Sequence, residues 1–123
     1  MTARDFKEQI CDELDGACNY LKKSIDYYAT RPVWAHCFMR MADMEQGHAT
    51  TLYKMFMELY TESEGKDAYM TQMRDAIMEC FSTKMRKIED LKSTYDIMKH
   101  EKQLEKTEPA PESKYPADMY IPE

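Results

Sequence analysis

Apolar residues recur along this chain at alternating steps of three and four, the spacing that places side chains on one face of an α-helix. In the first segment Phe6, Ile10, Glu13, Ala17, Tyr20, Ser24 and Tyr27 follow this alternation, and Leu14, Leu21 and Ile25 widen the stripe. A second segment carries Trp34, Phe38, Met41, Glu45, His48, Leu52, Met55 and Leu59 at the same steps. A third carries Met70, Met73, Ile77, Cys80 or Phe81, Lys84, Ile88, Leu91, Tyr95 and Met98. Seams of this length predict bundle helices that pack along their whole extent.

The ends of the segments carry their own signals. Thr2 with Asp5 resembles a capping box and opens a helix that runs to about Ala29. Thr30 and Arg31 form the break, and Pro32 is placed to start the second helix. That helix runs to about Glu64, where Gly65 stops it. The third begins near Asp67 and continues to about Lys106. From Thr107 the prolines at 109, 111, 116 and 122 forbid a helix and predict an extended strand of chain. The reading is therefore one all-α domain over residues 1–106, an antiparallel bundle of three long helices, followed by a proline-rich tail over 107–123. In that tail Tyr115, Met119, Tyr120 and Ile121 look like anchors that dock an extended peptide into a groove, on this subunit or on a protein partner.

Composition narrows the classes of function. A net charge of -6 argues against a nucleic-acid partner, which needs a concentrated positive surface. No apolar run approaches the ~20 residues that span a bilayer, so no membrane partner is expected. The polar N-terminus has no secretory core, which predicts a protein of the cytoplasm or of a particle assembled there. Cys11, Cys18, Cys37 and Cys80 contain no C-x-x-C pair. Cys11 and Cys18 stand roughly 10 Å apart along one helix, too far for a disulfide, so buried free thiols are expected.

Three polar residues interrupt the seams. Glu13, Glu45 and His48 lie where a charge is costly unless it is paired or bound to a metal. Glu45 and His48, at i and i+3, point the same way from one helix. Glu13 lies at a comparable distance on the other side of the Thr30–Arg31 turn, so an antiparallel pair brings the three together. One carboxylate from one helix and Glu-x-x-His from its neighbour is half of a di-iron carboxylate site, and oxygen and imidazole ligands suit iron or manganese.

The segment Glu13-Leu14-Asp15-Gly16-Ala17-Cys18-Asn19-Tyr20 resembles the E-L-x-x-A-x-x-Y element of the ferritin-like superfamily. Met41-Ala42-Asp43-Met44-Glu45-Gln46-Gly47-His48-Ala49 is similar to its A-x-x-E-x-x-H-A element. The likeness covers residues 8–60 and points to bacterioferritins, rubrerythrins and encapsulated ferritins. It implies a ferritin-like bundle in which Glu13, Glu45 and His48 are metal ligands and Tyr20, close to the site, takes part in catalysis. It further implies a di-iron cofactor and oxidation or handling of Fe(II) with oxygen or peroxide.

The second half of the chain departs from that pattern. Residues Glu79, Glu89 and Asp90 miss the third seam, Glu89-Asp90-Leu91-Lys92 has no histidine, and no fourth helix is evident. Two repairs remain open. A second copy across a two-fold axis supplies the missing ligands, as in encapsulated ferritins, making the protein a homodimer or higher homo-oligomer. Alternatively no metal is bound, Lys84 neutralises Glu13 or Glu45, and the bundle is a structural subunit of a shell or phage virion that docks its partner through the tail.

The other conspicuous residues read more simply. Met39, Met41, Met44, Met55 and Met57 are expected as core filling rather than thioether ligands. His36 and His100 fall off the seams and are expected to be exposed, and Trp34 and Tyr53 to pack. Gly16 and Gly47 lie in helix interiors, where glycine costs about 1 kcal/mol, which suggests a close helix approach or room for a small substrate beside the ligands.

Overall fold

The structure, a computed structural model, describes residues 1–63 and 67–105. They form three helices and no strand: α1 (Ala3–Tyr27), α2 (Pro32–Glu62) and α3 (Ala68–Glu105). Among the described residues no helix is long and apolar enough to cross a membrane. The three helices follow the seams, with ends within two residues of those expected. The expected stop at Gly65 and the whole tail over 107–123 lie outside the described residues.

The chain signals that open the helices act as their chemistry dictates. Thr2 accepts a hydrogen bond from the Asp5 amide, and the Asp5 carboxylate accepts one from the Thr2 amide at 2.8 Å, closing the capping box. These bonds to the charged carboxylate hold the Asp5 pKa below its ordinary value. Pro32 occupies the first turn of α2, where its missing N–H leaves nothing unsatisfied.

Side-chain pairs fix the directions. Phe6 meets Phe56, Tyr20 meets Phe38 and Tyr27 meets Trp34, so α1 and α2 form an antiparallel hairpin. Near its turn the buried Ser24 hydroxyl donates to the Ala35 carbonyl at 2.8 Å. Asp15 pairs with Lys84 and Tyr28 with Tyr95, so α3 runs parallel to α1. Tyr53 against Phe81, and Lys92 donating to Asp43 and Gln46, carry α3 antiparallel along α2.

The core is built from Phe6, Ile10, Leu14, Ala17, Cys18 and Leu21 of α1, Ala35, Met39, Ala42, Ala49 and Phe56 of α2, and Ile77, Ile88 and Tyr95 of α3. On α1 the widening residues Leu14 and Leu21 are fully buried, whereas Glu13 and Tyr20 are half-buried and Tyr27 is exposed. On α3 the expected seam is the buried one. On α2 it is not. Trp34 is 50% exposed, Met41 39%, Met55 45% and Leu59 38%. The buried stripe is Ala35, Met39, Ala42, Ala49 and Phe56, one position away from the expected seam. Alanine once per heptad lets α1 approach closely, and Trp34, Met41, Met55 and Leu59 are left on the outside, with Phe38 and Leu52 half-buried.

Further expectations change with this rotation. His36 is buried rather than exposed, because it sits on the inner side of α2. Of the five methionines expected as core filling, Met39 is buried and Met57 half-buried, while Met41, Met44 and Met55 are exposed. Trp34 packs only at the surface, edge-on to Tyr27 and beneath the Arg31 guanidinium. Tyr53 does pack, half-buried against Phe81. The thiols are not uniformly buried either: Cys18 is buried, Cys11 and Cys80 are half-buried and Cys37 is exposed.

Candidate metal centre

Glu13, Glu45 and His48 converge. One ligand atom from each lies within 4.8 Å of the other two. The antiparallel register of α1 and α2 places Glu13 opposite the turn of helix that bears Glu45 and His48. Nδ1 of His48 stands 3.5 Å from Oε2 of Glu13. That oxygen is shielded from solvent and accepts no hydrogen bond from the described residues. A buried carboxylate oxygen without a donor is unfavourable, and a bound cation would satisfy it.

The donor set can be tested against an ion. Two carboxylates and an imidazole suit first-row divalent metals, whose bonds to such ligands are about 2.0–2.2 Å. Of three ligands on such an ion at most two face each other, roughly 4.2 Å apart, and neighbouring ones stand about 3–3.4 Å apart. The three ligand atoms, within 4.8 Å of one another, would close on a metal by side-chain rotation. The residues fit.

The site is open. The His48 side chain is 58% exposed and that of Glu13 27%, and the flanking residues Met41 and Met44 are exposed as well. The cluster thus sits on the outer face of the hairpin, midway along the stripe of large apolar residues on α2.

No protein-family model, curated protein or solved structure matches the chain.

The neutralising role expected of Lys84 is not what this chain does with it. Its ammonium donates to Asp15, and this bond, ahead of a desolvation effect of opposite sign, holds its pKa above the ordinary lysine value. Asp15 follows Glu13 by two positions, about 200° around the helix at 100° per residue, so Lys84 serves the opposite flank of α1. Its seam position on α3 was readable in sequence. Its partner was not, because that depends on which flank of α1 meets α3.

The two glycines differ. A methyl group added at Gly16 would lie 3.5 Å from Oε2 of Glu45, an ordinary contact. Gly16 is thus where the Glu45 carboxylate rests against α1, although alanine would also fit. At Gly47 an added methyl would meet nothing within 4 Å, so a close helix approach does not explain it. Tyr20, the expected catalytic residue, is half-buried with its ring stacked on Phe38 at 6.1 Å. It stands two helical turns beyond Glu13, roughly 10 Å along the axis. Between Tyr20 and the turn, Tyr27, Trp34 and Phe38 form an aromatic patch on the same outer face, with Lys23 over the Tyr20 and Phe38 rings.

Proposed function

We propose that this chain is a ferritin-like metal-binding subunit that handles Fe(II), and that its site is completed by a second copy packed on the outer face of the α1–α2 hairpin. One observation carries the reading: a convergent Glu13–Glu45–His48 cluster, with a buried donor-less oxygen on Glu13, lies in the middle of an exposed apolar stripe. A two-fold axis near the cluster would bring two such sets together. It would cover Trp34, Met41, Met55 and Leu59 in the same step.

Bound iron would supply one-electron chemistry, Fe(II) passing to Fe(III) while oxygen or peroxide takes the electrons. The chain's own residues would do the rest. Glu13 and Glu45 would offset the cation charge, His48 would contribute an imidazole nitrogen, and the apolar stripe would exclude bulk water once covered. Manganese is the other ion that this ligand set suits.

The test is an anaerobic Fe(II) titration followed by oxygen, on wild type and Glu45→Ala, with sedimentation to count subunits. Stoichiometric binding and ferric absorbance in the wild type alone support the reading. Neither signal in the wild type ends it. A second reading, a metal-free assembly subunit, is favoured by the length of the exposed stripe, which reaches well beyond the three ligands. In that case self-association persists in Glu45→Ala and no iron binds to either protein.

A further inference from the structure

On the flank of α1 that faces away from Glu13, Cys11 and Asp15 stand one helical turn apart, and on α3 so do Cys80 and Lys84. Lys84 donates to Asp15, and because α1 and α3 run parallel, that bond fixes which residues of the two helices lie side by side. Cys11 precedes Asp15 by the same four positions that separate Cys80 from Lys84, so the two thiols face each other one turn below the ion pair. Both are half-buried, neither sealed in the core like Cys18 nor fully open like Cys37.

We propose that Cys11 and Cys80 are a thiol–disulfide site, which a peroxide closes into a covalent link between α1 and α3. Burial, and then a hydrogen bond with Cys11, push the Cys80 thiol up to about 12. One of the two sulfurs displaces hydroxide from hydrogen peroxide, its thiol proton leaves with that hydroxide as water, and it becomes a sulfenic acid. The other sulfur attacks that sulfenic sulfur, the S–O bond breaks as the second thiol proton leaves with the hydroxyl as water, and the S–S bond forms. In total two thiols and one peroxide give one disulfide and two waters.

The pair lies on the far side of α1 from Glu13, so the outcome does not depend on metal at the other face. The experiment treats the full-length, fully reduced protein with hydrogen peroxide, under native conditions and without added iron. Non-reducing peptide mapping is expected to recover a Cys11–Cys80 linked peptide in monomer, reversed by dithiothreitol. Closing so long a loop is expected to raise Tm by roughly 5–15 °C, and this rise is expected to be absent in Cys11→Ser and Cys80→Ser but kept in Cys37→Ser. The peptide map on wild type stands even if a serine variant folds poorly. Sulfinic acid at Cys11 or Cys80 without a link, products confined to Cys37, or a Cys11–Cys80 link that forms only in urea would each overturn the proposal.

Discussion

The two faces of α2 carry the same periodicity and opposite environments. The inner stripe, Ala35, Met39, Ala42, Ala49 and Phe56, is buried against α1 and α3. The outer stripe, from Trp34 through Met41, Glu45 and His48 to Leu59, has larger side chains and stays largely exposed. Size separates them. Small residues on the inside bring the hairpin partners close, and the bulk is left facing out, around the one cluster among the described residues that could hold a metal ion. The comparison teaches that an apolar seam marks a surface which packs, but not whether it packs within one subunit.

That contrast can be broken or sharpened by substitution. The largest effect is expected at Phe56, fully buried edge-on to Phe6: Phe56→Ala should cost about 3–5 kcal/mol in urea unfolding. Its neighbour Met55→Ala should cost well under about 1 kcal/mol in the isolated subunit. Equal costs would mean that the outer stripe is covered even in the monomer. Next, Met41→Arg should abolish self-association and tight iron binding while leaving helical circular dichroism unchanged. If a Met41→Arg protein still sediments as the wild type does, the second copy sits elsewhere.

Smaller effects test the same contrast locally. Ser24→Ala removes a buried hydroxyl that ties the turn end of α1 to Ala35, and should cost about 1 kcal/mol. Gly47→Ala adds a methyl to an open helix surface and should stabilise the subunit by about 0.5–1 kcal/mol. A destabilised Gly47→Ala protein, measured by thermal melt at a concentration where subunits associate, would place Gly47 inside a subunit contact.

Much of this was legible in the sequence, and the failures have physical causes. The helix ends followed from Thr2, Asp5 and Pro32, whose capping chemistry is local. The convergence of Glu13, Glu45 and His48 followed from counting away from the turn. The inner face of α2 was missed because alanine contributes little to an apolar count although it decides how closely two helices approach. His36 and the three exposed methionines were misplaced by the same rotation. The partner of Lys84 and the facing of Cys11 and Cys80 depend on the register between α1 and α3, which no local signal fixes.

The residues of the candidate metal centre are divided between two helices, Glu13 on α1 and the other two on α2. An ion held by all three is then a cross-link that exists only while the hairpin is closed. Folding and metal occupancy become one linked equilibrium: each tenfold rise in free ion above its dissociation constant adds about 1.4 kcal/mol to stability. The melting temperature of such a subunit would report the ion concentration around it, and a strong chelator would act on it as a denaturant.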